Sequence, residues 1–381
     1  MGGQKVAVVI LSTADFNAPL WTNKQHIASR LSAFVPVIYL ESFGLREPRL
    51  SLSDLRRVLV KLRPSRVPRL LAGQSDQESV AGDLTVIKVR VLPWHRWSLI
   101  RHINRWILER TLFVHLPKEY VLWSFSPVTY GLESSAIRSV YHSVDLLHTI
   151  RGLPRGLILR EEASFANLAD FVLASSKGVL THIKGIGRAD VLLWENVADV
   201  ELFESLRSNL RENRVIFAGN LTAEKLDVPL IRRLIDAGIC VALAGPMGID
   251  GTPKTSEIAE LVRDPRIEYL GVLDQIQLAK ELGKSRVGII PYLINEYTAG
   301  VFPMKVYEYL ASGLPVVATR LPSLIGITEE GLTLADGSHF LKQVQANLSS
   351  NARIPAVGSL SRHSWTNRID EILSLLDLPR D

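Results

Sequence analysis

The stretch Phe302-Pro-Met-Lys-Val-Tyr-Glu-Tyr-Leu-Ala-Ser-Gly-Leu-Pro-Val-Val-Ala-Thr319 predicts a short helix that is followed at once by a buried strand. Pro303 suits the first turn of a helix, because a proline has no amide hydrogen to lose there. Gly313 favours a helix end, and Pro315 prevents the helix from continuing. The apolar residues 316–318 then predict a short strand.

Two charged residues of this stretch, Lys305 and Glu308, lie three positions apart and therefore share one face of the predicted helix. A helix N-terminus that follows a strand and a loop is suited to phosphate, and a first-turn lysine adds positive charge there. A carboxylate one turn further along can accept hydrogen bonds from both hydroxyls of a ribose. The pair predicts a site for a nucleotide diphosphate; the alternative is a surface ion pair of little energetic value.

The stretch resembles the donor-binding motif of GT-B glycosyltransferases, in the lineages that carry P-x-K-x-x-E-Y-L-A-S-G-x-P-V-V. The resemblance implies that Lys305 contacts the donor diphosphate, that Glu308 contacts the ribose and that Phe302 belongs to the donor site. It is strong over residues 214–321 and thin over the residues before them.

Length and composition point to an ordinary globular protein of two domains. The chain has 381 residues, of which 47% are hydrophobic and 22% charged. Apolar runs such as 6–11 and 287–290 are too short to span a bilayer, and the N-terminus lacks the apolar core of a signal peptide. The single cysteine, Cys240, excludes a disulfide within the chain and is expected in a buried strand. We expect a cytoplasmic protein.

The positive charge is concentrated in one segment. Residues 46–69 contain eight basic and two acidic side chains, a local charge of +6 against +5 for the whole chain. This segment and residues 94–110 are both amphipathic and basic, a pattern that suits an anionic membrane surface. The alternative is packing on the protein's own core, which we favour for 94–110. We expect any membrane contact through 46–69, and no nucleic-acid partner, because no nucleic-acid module is recognisable.

Short apolar strands alternate with helical patterns along the whole chain, which predicts parallel sheets covered by helices. The predicted strands are 6–11, 37–40, 85–91, 120–123, 139–142, 171–174, 191–194, 215–218, 241–244, 267–270, 287–291 and 316–318. The expected fold is therefore α/β of GT-B type, with two Rossmann-like domains facing across a cleft. We expect an acceptor-binding domain over 1–200, a donor-binding domain over 201–355, and a terminal helix over 356–381 that crosses back to the first domain.

Three further donor-site candidates follow the first strand of the second domain. Gly219 permits a tight turn, and the free amides of the next helix can bind an anion. The place resembles the G-R-L-x-x-E-K-G element of retaining GT-B families, which implies a phosphate contact for Lys225. Asn220 stands where those families have arginine. The alternative is a plain strand-turn-helix connection with a surface lysine.

Other donor-site candidates rest on weaker resemblance. Residues 268–273 are similar to a strand-Leu-Gly-x-Val element whose main chain holds the base, which implies a donor contact at Val272. Residues 292–300, with Thr298 and Gly300, are expected to deliver backbone amides to the donor. Many retaining members carry a glutamate eight residues before the ribose glutamate, and here that position is Gly300. The departure leaves both retention and inversion open.

The candidate catalytic residue is Asp145, which follows a predicted strand at the carboxyl edge of the first sheet. The segment resembles the strand-D-x-x-S/T element of the glucuronosyltransferase of xanthan assembly, whose aspartate is proposed as general base. Such a base contributes about 10²–10⁴-fold to the rate. The alternative is that Asp145 caps the next helix. Residues 11–23 resemble the amino-terminal loop of the same protein, which implies acceptor contacts from Asp15 and Asn23. His142 and His148 lie beside the candidate base and are interpreted as acceptor-facing or structural histidines, with help to the base as the alternative.

We expect no cofactor and no metal, because the sequence lacks the Asp-x-Asp pattern that holds Mg²⁺ on a diphosphate. Lys305, Lys225 and helix N-termini would stabilise the leaving diphosphate instead. The predicted function is transfer of a sugar from a nucleotide-diphosphate sugar, with UDP favoured, to a glycan or lipid-linked acceptor in cell-surface polysaccharide synthesis. A GT-B epimerase, a sugar phosphorylase and a non-catalytic nucleotide-sugar-binding protein remain alternatives.

Overall fold

The computed structural model describes residues 6–18, 20–46, 82–248, 256–350 and 358–380. The basic segment 46–69 lies outside these residues except for Arg46. The chain divides into two compact units. The first consists of Met1–Ser175, Val179–Trp194 and Ile372–Asp381, and the second of Ser176–Gly178 and Glu195–Glu371.

The first unit is built on a parallel sheet of seven described strands, in the order β3-β2-β1-β4-β5-β6-β7. The strands are β1 (Ala7–Leu11), β2 (Val37–Leu40), β3 (Leu84–Ile87), β4 (Tyr120–Ser124), β5 (Arg138–Ser143), β6 (Phe171–Ala174) and β7 (Val191–Leu193). The central strands β1 and β4 are buried along their whole length, as expected when helices cover both faces of a sheet. Strand order reverses between β1 and β4, and ligands of such sheets bind at the carboxyl ends beside that reversal.

Four described α-helices belong wholly or mainly to the first unit: α1 (Asn23–Leu31), α2 (Ser98–Thr111), α3 (Arg155–Leu168) and α4 (Lys177–Gly185). A capping box opens α1, in which Thr22 and Gln25 satisfy each other's backbone amides. The terminal residues of the chain also belong to this unit, where Arg138 Nη1 lies 3.1 Å from Asp377 Oδ2.

The second unit has a parallel sheet of six described strands, in the order β10-β9-β8-β11-β12-β13. They are β8 (Arg214–Ala218), β9 (Cys240–Ala244), β10 (Ile267–Gly271), β11 (Val287–Ile290), β12 (Val316–Ala318) and β13 (Leu332–Leu334). The described helices that follow α4 are α5 (Val200–Ser205), α6 (Val228–Asp236), α7 (Ser256–Arg263), α8 (Gln275–Lys284), α9 (Glu296–Ala299), α10 (Lys305–Ala311), α11 (Gly337–Ser349) and α12 (Trp365–Leu375).

All twelve predicted strands are confirmed, with small shifts at their ends. The third ends at Ile87 instead of residue 91. Sequence analysis missed β13, because three half-buried residues carry too little periodicity to be recognised. The helix of the opening stretch begins at Lys305, and Gly313 follows its end with φ +75°, the left-handed conformation that favours glycine.

Two expectations about burial are wrong. Cys240 lies in a strand as predicted, but it is the first residue of β9 and is exposed. The core prediction for residues 94–110 fails for Trp97, Leu99 and Trp106, which are 52%, 70% and 53% exposed. The physical reason is that α2 turns a different face inward, the face that carries Asn104 and Leu108.

No helix of the described residues combines the length and the apolar character that crossing a bilayer requires.

Candidate functional site

Three glycines form a backbone edge at the carboxyl ends of β8, β9 and β10. Gly219, Gly245 and Gly271 all have positive φ, of +151°, +125° and +72°. The Gly219 amide donates to the Ala244 carbonyl at 2.8 Å, and the Gly245 amide donates to the Gly271 carbonyl at 2.6 Å. A methyl group on Gly245 would lie 2.1 Å from the Gly219 oxygen. Backbone crowding requires glycine at 245, whereas at 219 the Lys305 side chain fills the space that a methyl group would need. At 271 the left-handed backbone alone favours glycine. The three glycines leave an edge without side chains of its own.

Lys305 lies directly against this glycine edge. A methyl group on Gly219 would be 2.5 Å from Lys305 Cε and 2.9 Å from Nζ. Burial lowers the pKa of the Lys305 ammonium, and the charge of Glu308 raises it in part. The fold thus brings together two predicted donor-site residues, and a bound anion would restore the stability of the charged lysine.

Glu308 lies one turn further along α10 and is half-buried. Burial raises the pKa of its carboxyl group, Lys305 lowers it, and the neighbouring negative charge of Asp199 raises it again. The site therefore holds one cation and two acidic groups at low solvent exposure, an arrangement typical of functional sites.

Tyr309 was assigned no role from the sequence, yet it attaches α10 to the sheet. Its hydroxyl oxygen accepts a hydrogen bond from the Ala218 amide at 2.8 Å. Its ring lies so close to Gly288 that a methyl group there would be 2.3 Å from Tyr309 Cδ2. Burial raises the pKa of the Tyr309 hydroxyl far above its usual value, so the group stays neutral. This contact fixes the position of Lys305 and Glu308 relative to β8.

Asn220 and Val272 each follow a glycine of the edge. Asn220, the residue after Gly219, is half-buried. Val272, the residue after Gly271, is 46% exposed. The structure therefore places both predicted donor-site residues beside the glycine edge.

Lys225 lies in a different environment from Lys305. Its Nζ is 5.3 Å from the ring centre of Tyr292 and 5.5 Å from that of Tyr297, at cation–π range. Its carbonyl accepts a hydrogen bond from the Leu293 amide at 2.8 Å. Residue 225 is therefore bound to the loop that follows β11, and its phosphate contact stays a prediction.

The loop after β11 uses its own backbone amides internally. The Thr298 amide donates to Asn295 Oδ1 at 2.9 Å in the capping box of α9. The Gly300 amide donates to the Tyr297 carbonyl at 3.2 Å. Phe302 is 2% exposed, and its ring stacks on Tyr307 with centres 5.7 Å apart. Both amides donate within the loop and the Phe302 ring is covered, and the donor contacts of Thr298, Gly300 and Phe302 stay predictions.

In the first unit, Asp145 lies just beyond the end of β5 and is half-buried. The short 3-10 helix Leu147–Thr149 begins after Leu146, so Asp145 is not its capping residue. Lys24, which sequence analysis missed, is 7% exposed, with Nζ 5.6 Å from the Phe125 ring centre. Burial lowers the pKa of Lys24, and the charge of Asp145 raises it. A buried cation therefore accompanies the candidate base, and only its place after Asn23 could have suggested it.

The predicted acceptor residues differ in their exposure. Asp15 is exposed, with Oδ2 3.9 Å from Lys88 Nζ. Asn23 is 6% exposed and begins α1. Both lie in the segment after β1, at the carboxyl edge of the sheet.

His142 is a core residue. It has no exposed surface, and its ring packs against Phe125, Trp123 and Trp194, with centres 4.9, 5.8 and 6.1 Å away. The imidazole therefore lies within an aromatic cluster, and its acceptor contact stays a prediction.

His148 belongs to a buried polar cluster. Its ring packs against that of His182, with centres 4.4 Å apart and planes tilted by 32°. His182 Nε2 lies 2.8 Å from Glu162 Oε2. The other Glu162 oxygen accepts the Tyr141 hydroxyl at 2.7 Å. Among the described residues, ligand atoms of His148, Glu162 and His182 lie within 4.8 Å of one another, close enough to suit a metal ion. Tyr141 and His182 satisfy the buried Glu162 carboxylate, and the acceptor contact of His148 stays a prediction.

A family of known proteins matches the part of the chain that contains the glycine edge, Lys305 and Glu308. Residues 212–350 match the family described as Glycosyl transferases group 1. The chain is 30% identical over 219 residues to the Bacillus subtilis (strain 168) protein TuaH, whose name describes a teichuronic acid biosynthesis glycosyltransferase. That similarity covers 53% of this chain and 52% of TuaH, so the chain spans about half the length of this relative.

Solved structures share the whole fold at low identity. Sucrose-phosphate synthase from Thermosynechococcus elongatus matches with a TM-score of 0.65 and 14% identity over 98% of both chains. HepE from Anabaena, in complex with UDP and glucose, matches at 0.61 and 14% over 98% of this chain and 99% of its own. An E. coli trehalose-6-phosphate protein bound with UDP-2-fluoro glucose matches at 0.63 and 12% over 97% and 98%. The chain thus has the GT-B fold, and residues 212–350 of its second unit match the group 1 glycosyl transferase family.

Proposed function

We propose that this chain, with a group 1 glycosyl transferase domain on a GT-B fold, transfers a sugar from a nucleotide-diphosphate sugar to a glycan or lipid-linked acceptor. The observation that carries the proposal is the contact of Lys305 with Gly219 on the glycine edge, within the residues that match the family. A backbone edge without side chains admits a diphosphate, and the adjoining lysine supplies its counter-charge.

The proposed reaction breaks the bond between the anomeric carbon and the diphosphate and forms a bond from that carbon to an acceptor oxygen. Lys305 stabilises the negative charge of the leaving nucleoside diphosphate, with a further contribution from Lys225. Glu308 accepts hydrogen bonds from the ribose hydroxyls. We expect no metal or cofactor in this step, because fixed cations of the chain perform the task.

Asp145 is the proposed general base. It takes the proton of the acceptor hydroxyl as the new bond forms. Its position at the carboxyl edge of the first sheet, with Lys24 buried nearby, supports this role. The same edge carries Asp15 and Asn23, which we propose as acceptor contacts.

We propose UDP as the nucleotide, because two structures of the same fold hold UDP or a UDP-sugar. The similarity to TuaH supports a role in cell-surface polysaccharide synthesis. A protein of that role would act in the cytoplasm, at the inner face of the cell membrane, and residues 46–69 would attract anionic lipid.

Isothermal titration of UDP, GDP, ADP and dTDP tests the donor site. We expect the wild-type protein to bind UDP more tightly than the other three nucleotides. Lys305→Ala should bind UDP more weakly than wild type does. The control is Lys280→Ala, which removes an exposed lysine of α8. If a well-folded protein binds none of the four nucleotides, or if both variants bind as wild type does, the proposed donor site is wrong.

A further inference from the structure

We propose that the outer face of α2 docks on an anionic lipid bilayer. This α2 face consists of Leu99, Trp106 and Arg110, with the exposed Arg96 and Trp97 directly before the helix. The inference goes beyond glycosyl transfer, because it concerns a surface of the first unit and would hold whatever reaction the chain performs.

The apolar part of the α2 face is large and solvent-exposed. Trp97 is 52%, Leu99 70% and Trp106 53% exposed. Leu99 and Trp106 are seven residues apart, close to two helical turns, so they lie on one side of α2. Single exposed apolar residues are ordinary, but two tryptophans and a leucine together on one short segment mark an interaction surface.

The charge of the same segment is strongly positive. Residues 96–110 contain four arginines and one acidic residue, Glu109, a net charge of +3. The Arg110 guanidinium lies 4.5 Å from the Trp106 ring centre, and that of Arg96 lies 5.6 Å from Trp97. A tryptophan beside an arginine can place its ring at the level of the lipid headgroups while the charge meets lipid phosphate.

The helix presents this face rigidly. On the inner side Leu108 is fully buried, and Asn104 Nδ2 donates to the Leu92 carbonyl at 2.9 Å. The Leu92 amide donates to Asn104 Oδ1 at 2.8 Å, so the oxygen and the nitrogen of the Asn104 side chain are both hydrogen-bonded. The exposed residues therefore need no rearrangement of α2 to reach a flat surface.

Charge favours lipid over a second copy of the chain. Two copies of the segment 96–110 brought together would oppose a charge of +3 with a charge of +3, and like-charge juxtaposition disfavours association. An anionic bilayer has the opposite sign and attracts each arginine near its surface.

Vesicle flotation tests the proposal, with phosphatidylcholine vesicles that contain or lack phosphatidylglycerol. We expect binding only to the anionic vesicles, weakened by salt. Trp97→Ala/Trp106→Ala should lower the partition coefficient roughly tenfold or more, because two half-exposed indoles no longer enter the lipid. The matched control is Leu210→Ala/Ile276→Ala, which removes two residues of the second unit that are 86% and 53% exposed. Equal binding by both double variants, or equal binding to neutral vesicles, would overturn the proposal.

A second measurement does not depend on comparing double variants. In a Cys240→Ser background, an environment-sensitive fluorophore on Leu99→Cys should shift to the blue with anionic vesicles. The same fluorophore on Leu210→Cys should not shift. A shift at both positions or at neither contradicts docking through α2. Sedimentation without lipid identifies the rival outcome, since a dimer of wild type that Trp97→Ala/Trp106→Ala dissociates would assign the face to a second copy.

The nucleotide titration separates this inference from the proposed function. Trp97→Ala/Trp106→Ala should bind UDP as wild type does, because neither residue lies in the second unit.

Discussion

Replacing Gly219 by alanine is the sharpest test of the donor site, because the new methyl group would occupy space that Lys305 fills. The methyl carbon would lie 2.5 Å from Lys305 Cε, a distance at which one group must move. The flexible lysine stem can move more easily than the backbone of β8. We therefore expect Gly219→Ala to displace the ammonium group from the glycine edge.

The magnitude follows from the contact that is lost. A hydrogen bond to a charged group contributes about 1.5–3 kcal/mol, and this corresponds to a roughly 10- to 100-fold weaker Kd for UDP. Gly219 also has φ +151°, so alanine should cost about 1–3 kcal/mol of unfolding free energy. The control is Gly238→Ala, since Gly238 also has positive φ but nothing within 4 Å of an added methyl group.

Isothermal titration of UDP and denaturant unfolding measure the two effects separately. Gly238→Ala should lose stability and keep UDP affinity, whereas Gly219→Ala should lose both. In the double variant with Lys305→Ala, the Gly219→Ala substitution should weaken binding little further, because both act on one ammonium group. Wild-type UDP affinity in Gly219→Ala would refute this reasoning. So would a double variant whose loss of UDP binding free energy equals the sum of the losses in Gly219→Ala and Lys305→Ala.

Three further outcomes are expected. Asp145→Asn should lower the rate of sugar transfer about 10²–10⁴-fold and leave UDP affinity unchanged; near-wild-type transfer would exclude Asp145 as the base. Burial lowers the pKa of His95 to about 4 and that of His26 to about 3, so the unfolded chain binds more protons below pH 6.5. The free energy of unfolding should therefore fall from pH 7 to pH 5, by about 2 kcal/mol for each histidine, and His95→Gln should flatten part of this fall in denaturant titrations; a pH-independent stability would contradict it. Tyr309→Phe should lower the free energy of unfolding by about 1–3 kcal/mol, because the buried Ala218 amide loses its acceptor; unchanged thermal and denaturant midpoints would show that another group satisfies this amide.

The elements of the fold were largely readable from the sequence. Short apolar runs that alternate with helical patterns predicted twelve strands that the structure confirms. Sequence analysis did not predict β13, because this strand is short and half-buried. The positions of Lys305 and Glu308 on one helix were also predictable, since an i,i+3 spacing is a property of the helix itself.

Side-chain environment was much less predictable than strand position. His142 and His148 follow the pattern of residues near a functional edge, yet His142 packs in an aromatic cluster and His148 in a buried polar one. Trp97 and Trp106 are large aromatic residues, which suggested a place in the core, but both lie on the surface. In each case the direction of a side chain depends on which face of its element the rest of the unit covers.

The sequence by itself determined the parallel α/β architecture and the donor-site motif, because both rest on spacings within a few residues of the chain. Only the tertiary structure decided that Lys305 packs against Gly219 and that the Tyr309 hydroxyl accepts a hydrogen bond at the end of β8. The same is true of the burial of Lys24 near Asp145. These partners are far apart in sequence. Their contacts depend on how strands and helices pack within each unit, and no local periodicity carries that information.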